Sequence, residues 1–394
     1  MKSVILHWPS FGPYHTARLK ACAEFSPDDV ELIGLAVAGQ VEGRPWQPDR
    51  EMNHIRVITL FPDAMYHELE EKEVSAAIRR ALDEIAPVAA GISGYGMVDS
   101  RAALRWCVKR RARRVLMTES KADDAPRSWW KEWIKRRLVS RFDSALCGGS
   151  PHRAYLEQLG MVPEKIWDRY DVVDNDRFDR ASGNARARPE HGRSLPGLDD
   201  EKPYFLVSSR FIARKNLSRL IKAYGAYRAG SPEGWRLVIL GTGPDEPALR
   251  AQVREEKTPE VCFAGFHQFN EIAAYYAFAG AFIHPALQEQ WGLVVNEAMA
   301  CGLPVLASET VGAAHDLVID GDNGFKFAPE SAEAMCDAML KVSANAETRV
   351  RMGRRSREII AGWTPQHFAR NFWAAVGISH RRWTDNDGTN LGVR

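Results

Sequence analysis

Nothing in this sequence approaches the roughly 18 consecutive apolar residues that a membrane-spanning helix needs, so an integral membrane protein is not expected. The apolar run that opens the chain, "MKSVILHWPS", is too short for a secretory leader and is broken at once by His7, Trp8 and Pro9. Cysteine is sparse. Cys22, Cys107, Cys147, Cys262, Cys301 and Cys336 are scattered with no pair at metal-ligand spacing, which excludes a zinc ribbon or a disulfide scaffold. Reduced thiols and a cytoplasmic location, extending to the inner face of a membrane, are the expectation. Charge of one sign is lacking too: 53 Lys and Arg against 51 Asp and Glu leave a formal net charge of +2, no electrostatic drive toward nucleic acid.

What is present reads as soluble α/β protein. At 394 residues the chain exceeds a single ordinary core, and two domains are expected. Short apolar strands such as "SVILHW", "ELIGLAVAG" and "IRVITLF" alternate with helical stretches such as "HELEEKEVSAAIRRALDEIA", the pattern of parallel sheets covered on both faces. The alternation restarts after a stretch rich in Gly, Pro and charge. The expected organisation is an N-terminal acceptor-binding domain at 1–180, a linker at 181–202, a second Rossmann-like domain at 203–362, and a C-terminal helix and tail at 363–394 packing back on the first domain. Two doubly wound domains facing one another make a cleft, and ligands bind beyond the carboxyl ends of such strands.

Chemistry gathers on that rim in the second half. After "FLVSS" come Arg210 and Lys215, after "RLVILG" come Gly241-Thr242-Gly243, after "VCFAG" come Phe266 and His267, and after "AFIHPA" comes Glu289. The stretch "EQWGLVVNEAMACGLPVLAS" predicts a helix starting near Gly292 and stopped by Gly302-Leu303-Pro304, with Glu289 before it and Glu297 in its second turn. A helix start offers free amides and about half a positive charge, and Gly292 has no side chain to keep a phosphate away. Eight residues of helix rise separate the two glutamates by about 12 Å, too far to share a proton or a metal. They suit opposite ends of a long ligand with an anionic middle, such as a nucleoside diphosphate sugar, whose hydroxyls donate to carboxylates and whose diphosphate meets Arg210 and Lys215.

The second half resembles the donor-binding domain of the retaining glycosyltransferases of sequence family 4, the glycosyl transferases of group 1, which have the two-domain GT-B fold. The resemblance rests on "SSRFIARKN" at 208–216, "GTGP" at 241–244, "FAGF" at 263–266, "EQWGLVVNEAMACGLPV" at 289–305 and "GDNGF" at 321–325. It implies that Glu289 meets the donor sugar, Glu297 the ribose, and Arg210 and Lys215 the departing diphosphate. The amides of Gly292, Leu293 and Val294 would assist, with Trp291 and Gly241 around the donor and the base near Phe266. No cofactor and no metal would be needed; the partners are a nucleotide-sugar donor and a glycan, lipid-linked or small-molecule acceptor in polysaccharide or glycoconjugate assembly. The first half departs from the family. Its glycine loop keeps only Gly12, with Tyr14 and His15 as acceptor or cleft residues, and Glu119 stands where many members have a histidine. Ala313 and Asp316 replace a glycine and a glutamate.

Other readings stay open. A nucleotide-sugar epimerase or hydrolase would share the fold, as would a catalytically silent nucleotide-binding protein. Gly241-Thr-Gly243 reads equally as a strand-to-helix turn, and Glu246 at the third glycine position argues against NAD. Glu119 is either catalytic or a carboxylate in a buried ion pair. Asp174-Asn175-Asp176 is an interdomain acidic turn rather than a metal site. "WWKEWIKRRL", Trp129 to Leu138, is either a helix packed by its tryptophans or an interfacial helix making peripheral membrane contact.

Overall fold

Strands that are apolar on both faces, such as "VILHW" at 4–8 and "YFLV" at 204–207, suit a parallel sheet sandwiched between helix layers. The computed structural model, which describes residues 1–41, 55–192, 194–199 and 201–378, forms two such sheets in two units. One unit comprises Met1–Val172 with the chain from Thr364 onward, the other Val173–Trp363.

The first unit runs β1 (Lys2–Trp8), α1 (Pro13–Glu24), β2 (Val30–Gln40), β3 (Arg56–Met65), α2 (Glu71–Ile85), β4 (Ala89–Ser93), α3 (Val98–Arg110), β5 (Arg113–Thr118), α4 (Trp129–Val139), β6 (Ser144–Cys147), α5 (Ser150–Gln158) and β7 (Ile166–Trp167). All strand pairs are parallel, in the order β3-β2-β1-β4-β5-β6-β7, so the order reverses beside β1, where ligands of doubly wound sheets bind. Ile5, Ile33, Leu35, Ile92 and Leu116 form its core with the apolar faces of α2 and α3. Edge strand β3 runs through Pro62, a residue without an amide that only an edge tolerates.

The second unit runs α6 (Asn175–Ala187), α7 (Pro189–Gly192), β8 (Tyr204–Ser208), α8 (Leu217–Gly230), β9 (Arg236–Leu240), α9 (Glu246–Glu255), β10 (Val261–Gly265), α10 (Phe269–Phe278), β11 (Ala281–His284), α11 (Leu293–Ala300), β12 (Val305–Ser308), α12 (Gly312–Leu317), β13 (Gly324–Phe327), α13 (Ala332–Ser343) and α14 (Ala346–Ile360). Its strands, also parallel, lie in the order β10-β9-β8-β11-β12-β13, reversing beside β8. Phe205, Val207, Leu237, Ile239 and Ile283 are at its centre.

Residues 181–202 were expected as a linker. They lie within the second unit, and the first of them complete α6, whose Arg186 donates to the carbonyls of Ala277 (2.9 Å) and Cys301 (2.8 Å). The sequence hid this helix because only Phe178 and Ser182 of α6 are buried, too few to write a 3.6-residue period. The acidic turn before it is structural: Asp174 caps α6 by accepting the Arg177 amide at 2.9 Å, and Asn175 donates to the carbonyl of Ile360 at 2.8 Å. Thr364 and Pro365 open α15 (Pro365–Val376), which belongs to the first unit and lies on α1, β5 and β6. The Trp373 indole there donates to the Cys22 carbonyl at 3.0 Å and Ser144 Oγ to the Ala375 carbonyl at 2.8 Å.

Candidate functional site

The chain leaves β8 through Ser209–Ile212 and makes a single 3-10 turn, Ala213–Lys215, before Asn216 in the left-handed conformation (φ +61°) starts α8. Asn216 stands at the N-cap position without capping. Its amide donates instead to the carbonyls of Pro285 (3.0 Å) and Pro329 (2.8 Å), tying this loop to the one that follows β11. The tie turns two cations toward Glu289. The buried Lys215 ammonium is hydrogen-bonded to Glu289 Oε2, and the Arg214 guanidinium lies 3.7 Å from Oε1. His284, the last residue of β11 and fully buried, places Nε2 3.2 Å from the same Oε2. Glu289 is braced from behind by a bridge to Val311.

Burial alone would raise the Glu289 carboxyl. The His284 hydrogen bond and the Lys215 charge more than reverse that, holding it ionised far below the usual carboxylate range. Burial lowers the Lys215 ammonium, with Glu289 opposing, and lowers the His284 imidazole. A neutral imidazole facing a carboxylate must carry its proton on Nε2. His284 Nδ1, buried, then meets no hydrogen-bond donor among the described residues. His284 and Arg214 were not singled out from the sequence. A histidine ending an apolar strand was the available signal.

Gly292 (φ +98°) is the N-cap of α11, so the glycine is required by the backbone as well as by access: a Cβ would also sit 3.3–3.4 Å from Val311, Glu289 and His284. The first amides of α11, Leu293 and Val294, are half-buried at a helix start, where backbone donors have no partner in the preceding turn. Trp291 is different. Its ring is buried, stacks on Trp363 at 5.0 Å and donates to Asn296 at 2.9 Å, so only its backbone is available to a ligand. Glu297 is buried, with Oε2 accepting the Tyr276 hydroxyl at 2.7 Å. Arg210 is exposed, and its charge helps depress Lys215. Gly241 (φ +119°) meets the β8 loop so closely that a Cβ would lie 1.8 Å from the Ser209 carbonyl oxygen. Phe266 is exposed beside His267, which contacts Glu271 at 3.1 Å and Tyr275 at 3.1 Å.

In the first unit, Gly12 is the N-cap of α1 and donates its amide to His15 Nδ1 at 3.1 Å, while the His15 ring packs 5.0 Å from Trp8; Tyr14 is half-buried beside them. Glu119 follows β5 and is hydrogen-bonded to the fully buried Asp171. Burial and then the Glu119 charge push the Asp171 carboxyl well above its ordinary value, against the pull of Arg18, 3.4 Å away. The Arg18 guanidinium in turn lies 4.4 Å over the Tyr170 ring. A second buried cluster joins His7 to Asp99 at 3.2 Å, with the Tyr66 hydroxyl donating to Asp99 at 3.0 Å; the sequence did not reveal it.

The resemblance read from 208–325 is borne out by comparison with known proteins. Residues 192–359 match the family model described as glycosyl transferases group 1. The chain is 28% identical over 225 residues to probable sucrose-phosphate synthase 1 of Oryza sativa subsp. indica, covering 50% of this chain and 20% of that one. It is 31% identical over 209 residues to the GDP-mannose-dependent alpha-(1-6)-phosphatidylinositol monomannoside mannosyltransferase of Mycolicibacterium smegmatis, covering 51% of this chain and 50% of that one. The chain thus spans half or less of the length of these two relatives. Among solved structures, sucrose-phosphate synthase from Thermosynechococcus elongatus superposes with a TM-score of 0.74 at 19% identity, covering 95% of this chain and 98% of that one. Anabaena HepE in complex with UDP and glucose gives 0.72 at 16% identity, covering 96% and 100%. These likenesses establish the fold as the GT-B type, α/β with two doubly wound Rossmann-like domains.

Proposed function

On the premise that residues 192–359 form a glycosyl transferases group 1 domain, we propose that the protein moves a sugar from a nucleoside diphosphate sugar to an acceptor hydroxyl, with retention at the anomeric carbon. The observation that carries this reading is Glu289, kept ionised by Lys215 and His284 immediately before the start of α11. A permanently charged carboxylate at that point accepts hydrogen bonds from sugar hydroxyls. The amides of Leu293 and Val294, with the dipole of α11, stabilise the charge that builds on the departing diphosphate. Lys215 gives one of its three donors to Glu289 and turns the others to the phosphate, with the exposed Arg210 as the outer cation. Those charges do the work a metal would otherwise do. The acceptor hydroxyl attacks on the face the diphosphate leaves, and a diphosphate oxygen takes its proton. Glu297 holds the ribose and Phe266 flanks the base; the first unit, through Tyr14, His15 and Glu119, meets the acceptor. The likeness to Anabaena HepE, known in complex with UDP and glucose, and to a GDP-mannose-dependent mannosyltransferase supports a nucleotide-sugar donor, and assembly of a polysaccharide or glycoconjugate is the corresponding role.

Thermal-shift screening of nucleotide sugars, followed by product analysis with and without acceptors, tests the proposal. With the donor so found, Lys215→Ala and Glu289→Gln each lower kcat by about a hundredfold or more, and EDTA leaves the rate unchanged. Near-normal rates in both variants would overturn the assigned roles. A second reading, nucleotide binding without turnover, is favoured by Glu119 and His15, whose polar atoms are already engaged inside the first unit. Stabilisation by nucleotide with no product from any acceptor would select it.

A further inference from the structure

Helix α4 inverts the usual arrangement of an amphipathic helix. Apart from Leu138 and Val139 at its C-terminal end, its inward side is polar: Glu132 accepts the Tyr155 hydroxyl at 2.6 Å, Lys135 reaches Glu132 and Tyr155 at 2.9 Å each, and Arg127, just before the helix, reaches Tyr155 at 2.8 Å. Only Val139 is buried. The tryptophans face out, with Trp129 85%, Trp133 58% and Trp130 49% exposed beside exposed Ile134. At 100° per residue, positions 129, 130, 133, 134 and 137 fall on one face, so the aromatic stripe is continuous. Of the two readings of "WWKEWIKRRL", the tryptophan-packed helix is therefore the wrong one.

The charges on and flanking that face have one sign. Lys131, Arg136 and Arg137 are exposed, and two of them accompany the rings: Lys131 Nζ lies 5.4 Å from the Trp130 ring and the Arg137 guanidinium 5.7 Å from that of Trp133. Glu132 is the helix's sole acid, and Lys135 and Arg127 already neutralise it. We propose that α4 is a contact surface for an anionic lipid bilayer, lying in the plane of the interface. Tryptophan rings partition to the boundary between headgroups and acyl chains, and cations flanking them meet anionic headgroups within a Debye length. A second copy of this chain is a poorer occupant: a two-fold contact through α4 would oppose Lys131, Arg136 and Arg137 to the same three cations. The inference is independent of the donor reading, and its test needs no nucleotide.

The test is flotation of the full-length protein with phosphatidylcholine vesicles, with and without phosphatidylglycerol, together with quenching of tryptophan fluorescence by bromine-labelled acyl chains. Wild type floats with the anionic vesicles and is quenched. The combined Lys131→Gln, Arg136→Gln and Arg137→Gln variant partitions about a hundredfold more weakly, each near-surface cation being worth roughly a factor of five. Trp129→Ser with Trp133→Ser loses the quenching while melting as wild type does, because both side chains are exposed. Absence of binding to anionic vesicles, or binding that neither variant weakens, overturns the proposal. So does a dimer of the free protein that the tryptophan variant dissolves.

Discussion

A carboxylate buried beside a lysine and an imidazole is a charge balance that pH can disturb, and His284 is the group that titrates first. Burial holds its imidazole below the ordinary histidine value, so the folded state carries it neutral. The unfolded chain takes up that proton near pH 6.5 and the folded chain only at lower pH. Stability linked to His284 is therefore intact above about pH 6.5 and is lost as pH falls below it. His284→Gln keeps a donor to Glu289 but cannot titrate. Differential scanning calorimetry should show the wild-type melting temperature, taken relative to this variant, declining from about pH 8 to about pH 5; a constant difference would mean His284 does not titrate as its burial implies. Glu289 and Lys215 were legible in the sequence because motif spacing placed them on one rim. That they face each other was not, since the 3-10 turn that swings Arg214 and Lys215 inward has no sequence period of its own.

Among the elements, loops at the carboxyl ends of the strands are held by close backbone approach as well as by side chains such as Asn216. Gly241 combines a left-handed φ with a carbonyl oxygen 1.8 Å from where its Cβ would be. Gly241→Ala must displace the loop after β8, the loop that carries Arg214 and Lys215. Urea unfolding should show a loss of several kcal/mol, of which about 1–3 comes from the backbone conformation alone. Gly183, in α6 with nothing within 4 Å of its Cβ position, is the control. Gly183→Ala should be stabilising by about 0.5–1 kcal/mol. Equal effects of the two substitutions would remove the steric account. The sequence pattern left 241–243 open between a donor-binding loop and a strand-to-helix turn, and held no information on which neighbouring loop closes over it. Pattern failed in a similar way at α6, which buries too little to write a helical period. Helix α4 was legible as a helix, but the direction of its aromatic face, which is outward, was not.

For the molecule as a whole, the strand and helix alternation made two doubly wound domains legible, because parallel strands buried on both faces leave nearly continuous apolar runs. The boundary between them was less so: residues 181–202, expected as a linker, lie within the second unit, because a stretch rich in Gly, Pro and charge reads as a linker even where it completes a helix. Helix α15 closes the first unit from the far end of the chain: Phe368, Phe372 and Trp373 are fully buried there, and Phe372 fills the space beside Gly91 of β4. Each unit has its own core, so damage to α15 should be felt by residues 1–172 and not by the second unit. Phe372→Ala removes a fully buried ring and should cost about 3–5 kcal/mol in the first unit. Hydrogen exchange on the full-length variant should show β1, α1, β4 and β5 losing protection while β8, β9 and β11 keep theirs. A nucleotide that stabilises the wild type should still protect the second unit, by about 2.7 kcal/mol at a hundred times its Kd. Simultaneous loss of protection in both sheets would show that the two cores unfold as one, and would assign α15 to the stability of the whole chain rather than to the unit it completes.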